Sequence, residues 1–265
     1  MYSTTYVRAG SLAEAQQLLR DNPEARPLSG GQTLILTLRQ RLARPSHLVD
    51  VTRIAELQGI LVENDRVTIG AAVRHADVAA NYEIQRRIVG LAQLADLIGD
   101  PHVRHAGTIG GSIANNDPAA DYPAAVLGLN AVVHTSQRAI PADEFFTGMF
   151  ETALKPDEIV TRVSCPVPRR SGYAKFRQQA SHFALVGVFV AELADGDIRV
   201  AVTGAAPCVF RAKEIESALK NQFSAEAAES VAIEPEGLMS DIHASPEFRA
   251  HLVSVMAGRA VAAAR

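Results

Sequence analysis

The sequence is poor in the residues that build several kinds of site. It holds two cysteines, Cys165 and Cys208, in 265 residues. Two thiols cannot form a disulfide framework or supply the ligands of an iron–sulfur cluster, and a reduced, cytoplasmic setting is expected. The eight histidines, at 47, 75, 102, 105, 134, 182, 243 and 251, are scattered and form no metal-ligand spacing. No apolar run is long enough to span a bilayer, and the longest, 183–193, reads as a buried strand. The N-terminal residues lack a basic start followed by an apolar stretch, so no export signal is expected. A formal charge of −3 with no basic cluster argues against a nucleic-acid partner. The pair Arg169 and Arg170 reads as part of a solvated linker.

What is present is an ordinary globular composition, 48% apolar and 21% charged, in a chain long enough for two or three units. Ser11 with Glu14 forms a capping box for a helix to about Arg20, its apolar face Leu12, Ala15, Leu18 and Leu19. A second helix is expected from the Pro27–Leu34 turn through about Gln40, with Leu34, Leu38 and Leu42 on one face. Strands are expected at 48–51, 67–71, 130–133 and 159–165, and helices at 76–80 and 84–98. Residues 107–116 carry too many glycines and short polar side chains for a helix interior, and a helical turn is expected at 119–127. The stretch 166–172 reads as a linker and domain boundary. Beyond it, strands at 173–177, 184–193 and 198–203, a hairpin turn at Asp195-Gly196, and helices at 211–219 and 247–263 describe a smaller α+β unit.

Two tracts carry chemistry. Ser29-Gly30-Gly31-Gln32-Thr33 precedes a helix, where glycines let successive N–H groups point at one anion. A tight turn alone would also explain it. Thr108, Gly110, Gly111 and Ser112 form a second such loop, with Asn115, Asn116, Asp117 and Asp121 close behind. Neither tract has the Gly-x-Gly-x-x-Gly fingerprint of dinucleotide folds or the Gly-Lys-Ser/Thr of a P-loop. A ligand with a pyrophosphate between two bulky ends satisfies both loops without either signature. No Ser/His/Asp arrangement has assignable roles. His105 stands near the second loop, where either a tuning role or a local hydrogen bond fits.

Over nearly its whole length the chain resembles the flavoprotein medium subunit of the molybdenum hydroxylases, particularly the carbon monoxide dehydrogenase type. The resemblance rests on Ser29-Gly30-Gly31-Gln32-Thr33-Leu34 followed by Pro45-Ser46-His47-Leu48-Val49-Asp50-Val51, and on the tract from Thr108 to Pro123. Tyr173-Ala174-Lys175-Phe176-Arg177 with Phe183–Gly187, and Thr203–Pro207 with Arg211-Ala212, follow in order. The resemblance implies an α+β chain: an FAD-binding fold of the vanillyl-alcohol oxidase type in residues 1–167, with two α/β lobes at about 1–55 and 56–167. An antiparallel α+β domain over 172–265 completes it.

By the same resemblance, residues 29–33 and 107–112 hold the FAD pyrophosphate. Asn116 and Asp121 contact the ribityl or phosphate region, and Lys175 lies near the isoalloxazine edge. His182 stands where the family tract often has an acidic residue. The implied role is electron relay. A large subunit with a molybdenum cofactor oxidises the substrate, a small subunit with two [2Fe–2S] clusters passes electrons on, and this chain delivers them to an external acceptor. A dimer of such three-chain units is the implied assembly. A free-standing FAD-dependent oxidoreductase and a non-catalytic nucleotide-binding scaffold are the alternatives.

Overall fold

A computed structural model describes residues 1–265. The chain opens with a three-stranded parallel sheet in the spatial order Thr5–Arg8, His47–Asp50, Arg26–Leu28. Parallel neighbours require crossovers, and the helices Leu12–Asp21 and Leu34–Arg39 lie along them. Ser11 caps the first helix by accepting from the Glu14 N–H at 3.2 Å. The reciprocal bond from Glu14 goes one residue further back, to Gly10 N–H at 2.7 Å, so the capping box closes early. The second helix ends sooner than its leucine spacing predicts. Arg41 takes φ +62°, and Leu42 swings out to 74% exposure instead of sharing a buried face with Leu38.

Asp50 ties this sheet together. Its carboxylate accepts from Tyr6, Arg8 and Thr52. Burial pushes the carboxyl up, but the hydrogen bonds from Thr52, Tyr6 and Arg8 outweigh it and hold it at about 2. A carboxyl held below its unfolded value stabilises the fold above that value and stops doing so as pH falls through the folded one. Equilibrium unfolding followed between pH 5 and pH 2 should therefore show stability falling from about pH 4 downward. Asp50→Asn should flatten that part of the profile, and an unchanged slope would remove Asp50 from the explanation.

Residues 60–166 form a five-stranded antiparallel sheet, ordered Ile60–Val62, Arg66–Gly70, Val160–Pro166, Val132–Thr135, Ala139–Pro141. The last strand in sequence is thus the central one. Six helices from His75 to Gly128 lie between the second and third strands in sequence. The expected helix over 84–98 is broken at Ile88 (φ −135°, ψ 67°) into Tyr82–Arg87 and Val89–Asp96. The break buries Ile88 completely and lets the Gly90 N–H reach Ser171 Oγ at 3.1 Å. The glycine-rich tract corrects the sequence reading more sharply, because Ile109–Asn115 is a helix capped by Thr108. The turn expected at 119–127 is the helix Tyr122–Gly128.

The third unit is a four-stranded antiparallel sheet, Arg170–Arg177, Ala184–Glu192, Ile198–Thr203 and Phe210–Arg211 in order. Its first strand starts inside the stretch expected as linker, leaving 167–169 between strands. The Asp195-Gly196 turn forms as its chemistry predicts, with Gly196 at φ +88°. Ala184–Glu192 is apolar almost throughout because both of its faces are covered. Val186, Val188 and Val190 pack against the helices Lys213–Asn221 and Pro246–Ala263. Phe189 and Ala191 face the opposite way, into the core around the Tyr122–Gly128 helix. Period-two alternation therefore joins this sheet to the preceding unit through its second face.

Candidate functional site

A cavity of about 740 Å³ lies where the three units meet. Small-molecule sites fall at roughly 300–1,000 Å³, so the space suits one sizeable ligand. Its lining includes Ser29, Gly30, Gly31, Gln32, Thr33, Thr108, Gly110, Gly111, Ser112 and Asp121, which were singled out in the sequence. Asn116 and Lys175, also singled out, do not line it.

The first loop leaves the C-terminal end of the parallel strand Arg26–Leu28 and enters the helix Leu34–Arg39. Gly31 takes φ +69°, the left-handed conformation that turns neighbouring amides toward one side. The N–H groups of Gly30, Gly31, Gln32 and Thr33 donate to no carbonyl and no side chain of the protein. Gly30 is fixed by a close approach of backbone to backbone. A Cβ there would lie 2.2 Å from Ala106 O and 2.6 Å from Gly107 Cα. Beside this crossing, Ser29 Oγ and Thr108 Oγ1 are hydrogen-bonded at 2.8 Å.

The second loop is built differently, which overturns the idea of two equivalent amide cradles. Ile109 N–H donates to Val73 O at 3.1 Å, and Gly110 N–H to Ala71 O at 2.9 Å. Gly111 N–H donates to Thr108 Oγ1 at 3.2 Å, and Ser112 N–H to Thr108 O at 3.0 Å. Gly110 is small because a Cβ would lie 2.5 Å from that of Ala71. Glycine here docks a helix start against the residue that follows the strand Arg66–Gly70. What this tract offers the cavity is the Thr108 and Ser112 side chains, and Ser112 Oγ has no partner in the protein.

Asp121 is 4% exposed and accepts from Tyr173 Oη at 2.5 Å, with Lys175 Nζ 2.9 Å from its Oδ1 and 3.2 Å from its Oδ2. Tyr173 and Lys175 are two apart on one strand, so both reach the same side. Burial pushes the Asp121 carboxyl up, against the charge of Lys175 and the hydrogen bond from Tyr173. Lys175 therefore acts on the cavity through Asp121 and not by contact with it. Asn116 corrects its reading in a similar way. At φ +44° it ends the Ile109–Asn115 helix, and its Nδ2 donates to Gly148 O at 2.8 Å and Glu151 O at 2.7 Å. A carboxamide donating to two carbonyls holds the turn Gly148–Glu151, where Phe150 sits at φ +56° with its N–H on Asn116 O.

His182, at φ +60°, places Nδ1 3.2 Å from Gly99 O at the cavity edge, beside a half-exposed Phe183. His105 makes a local bond from Nδ1 to Pro101 O at 2.7 Å and does not line the cavity. Cys165 is buried, its thiol pushed up to about 12 by that burial. The sequence reading missed the wall formed by Thr152, Leu154, Lys155 and Ile159, and it missed His75. The wall residues carry no motif: Thr152 ends the short strand Glu151–Thr152, and Leu154, Lys155 and Ile159 lie in the connection from it to the central strand Val160–Pro166. His75 stands at the start of a helix shortly after the strand Arg66–Gly70, a position that offered no motif to single it out.

Few charges on the lining are free. Asp121 is paired with Lys175, and Glu158 with Arg138 at 3.0 Å, which leaves Arg26, Lys155 and Asp117. An anion in this cavity would be met chiefly by the amides of the first loop. A pyrophosphate-bearing dinucleotide fits that donor set: unpartnered amides in a row, adjacent hydroxyls, and a cavity of about 740 Å³.

Comparison with known proteins gives the same picture from an independent direction. Residues 2–168 match the family described as the FAD binding domain in molybdopterin dehydrogenase. Residues 171–264 match the CO dehydrogenase flavoprotein C-terminal domain. The chain is 37% identical over 222 residues to the glyceraldehyde dehydrogenase medium chain of Sulfolobus acidocaldarius, covering 80% of this chain and 79% of that one. It is 32% identical over 269 residues to the nicotine 6-hydroxylase medium subunit of Paenarthrobacter nicotinovorans, covering 97% and 95%. The carbon monoxide dehydrogenase of Hydrogenophaga pseudoflava, solved in a form lacking the Mo-pyranopterin moiety, contains a chain that superposes with a TM-score of 0.87. Identity there is 32%, covering 99% of this chain and 97% of that chain. An α+β FAD-binding domain precedes an antiparallel α+β C-terminal domain, and the chain belongs to the FAD-binding medium-subunit family of the molybdenum hydroxylases.

Proposed function

We propose that this chain is the FAD-carrying electron-transfer subunit of a molybdenum-dependent hydroxylase or dehydrogenase complex. The observation that carries this reading is the row of unpartnered amides from Gly30 to Thr33 on the wall of a cavity otherwise nearly balanced in charge. Ser29, Gly30, Gly31, Gln32 and Thr33 would hold the pyrophosphate. Thr108, Ser112 and Asp121 would face the ribityl hydroxyls, and Lys175 with Tyr173 would fix Asp121. Gly110 and Gly111 would position the helix that presents Ser112, and Asn116 would hold the wall behind it. Bound FAD supplies the chemistry of accepting electrons one at a time and releasing them singly or in pairs, while the protein supplies binding, orientation and electrostatics.

Relatives named for substrates as unlike as glyceraldehyde and nicotine share this medium-chain architecture, which supports placing substrate oxidation in another chain. The partners in this reading are a small subunit with two [2Fe–2S] clusters and a large subunit with the molybdenum cofactor. They assemble as a dimer of heterotrimers in the cytoplasm. Residues 1–167 form the FAD-binding domain and 172–265 the C-terminal domain. No helix is long and apolar enough to cross a membrane.

The test is isolation of the native assembly, its absorption spectrum, and chromatography of what denaturation releases. One FAD per chain with two co-purifying partner chains is expected. Carefully reconstituted chain that releases no FAD would sink the reading. Turnover of an organic donor by the isolated chain would favour a free-standing oxidoreductase instead.

A further inference from the structure

Among the side chains on the cavity lining, His75 has a buried polar atom without a partner. His75 opens the helix His75–Ala80, and its backbone N–H donates to Gly107 O at 3.0 Å. The ring is 5% exposed and lies 5.2 Å, tilted, from the fully buried ring of Tyr122. Nδ1 is sealed from solvent and meets neither donor nor acceptor. The other edge of the ring abuts the second loop, since a Cβ on Gly107 would lie 2.5 Å from Nε2. Gly107 is also the residue against which Gly30 packs. The imidazole thus sits directly behind the crossing of the two loops.

A neutral imidazole always carries one N–H, and burying a polar group without a partner is costly. Orphaned buried N–H groups are rarer than under-satisfied acceptors, which favours the proton on Nε2, the nitrogen on the loop side. Burial, with the nearby Arg104 charge, holds the conjugate acid down to about 4, so the ring stays neutral at ordinary pH.

We propose that His75 is a further cofactor-binding residue, donating a neutral hydrogen bond from Nε2 to an anionic oxygen of the dinucleotide at the loop crossing. The proposal rests on the dinucleotide reading of the cavity. It adds a donor to the four first-loop amides without burying another cation, whose desolvation would offset part of the gain.

The test titrates the full-length apoprotein with FAD, with ADP as a probe of the phosphate half, and with riboflavin as a probe of the other half. A hydrogen bond to a charged acceptor is worth about tenfold or more in affinity. His75→Leu should weaken FAD and ADP by that factor and leave riboflavin unchanged. His75→Gln, whose amide nitrogen can approach the place of Nε2, should recover most of the loss, whereas His75→Asn should not. In the unaltered protein, the ¹⁵N resonance of His75 Nε2 should shift on addition of ADP, a readout that needs no variant to fold. Unchanged FAD affinity in His75→Leu would overturn the proposal, as would equal weakening of all three probes in the Leu and Gln variants. Wild-type protein that binds neither FAD nor ADP would overturn the dinucleotide reading itself.

Discussion

Replacing Lys175 with methionine should cost about 3–5 kcal/mol of stability at neutral pH, the usual penalty for leaving one member of a buried ion pair alone. Lys175 and Asp121 are 2% and 4% exposed at the side chain, and no other cation pairs with that carboxylate. Without the ammonium, Asp121 keeps only the Tyr173 hydroxyl, and burial drives it toward the protonated form. A carboxyl whose folded value lies above its unfolded value, about 3.9, favours the fold at low pH and loses that contribution as pH rises. The deficit of Lys175→Met should therefore shrink on going from pH 7 to pH 5. Urea unfolding at both values measures it. The double variant Asp121→Asn/Lys175→Met removes both charges and should regain much of the loss. A single variant as stable as the wild type would mean the pair does not hold this part of the fold. The same measurement separates Asp121 as a keystone from Asp121 as a simple ligand contact, since only the former is destabilised without cofactor.

Gly30→Ala should abolish cofactor retention and lower stability by about 1–3 kcal/mol, the range for forcing extra volume into a packed site. The added methyl would meet main-chain atoms of Ala106 and Gly107, which cannot rotate away as a side-chain tip can. Relief requires the two loops to part, and that breaks the Ser29–Thr108 contact and moves the amides of the first loop. Gly111→Ala is the informative control. Its methyl would lie 3.0 Å from Thr108 Oγ1 and 3.7 Å from Ser29 Cβ, inside a helix where alanine is the better former by about 1 kcal/mol. Melting temperature and flavin content after gel filtration should therefore fall steeply for Gly30→Ala and change little for Gly111→Ala. Equal behaviour of the two variants would refute the crossing as the critical contact.

The contrast between these glycines also explains what could be read in the sequence. The Ser11 cap, the hairpin at Asp195-Gly196 and the apolar strand Ala184–Glu192 are set by local chemistry or simple periodicity, and each was legible. The helix Ile109–Asn115 was not, because helix propensity counts its glycines only as a penalty. The compensating gain, close docking on Ala71, comes from a residue nearly forty positions earlier, just past the end of a strand. Most of the candidate site was legible for the same reason that the loops are unusual in composition. The roles of Asn116 and Lys175 were not, since a residue beside a cavity and a residue behind its wall have the same sequence neighbours. Thr152 and Leu154 carried no signal, being ordinary residues delivered by topology.

Asn116 and the same-shaped aspartate differ at one atom, and at this position that atom decides whether the wall holds. Nδ2 is the only donor the side chain directs at Gly148 O and Glu151 O. Hydrolysis of the carboxamide would set an oxygen against two carbonyl oxygens inside a site that is 2% exposed. Every residue would keep its shape, yet the turn carrying Phe150 would be pushed from the helix end. The wall thus depends on the nitrogen of a single amide kept away from water.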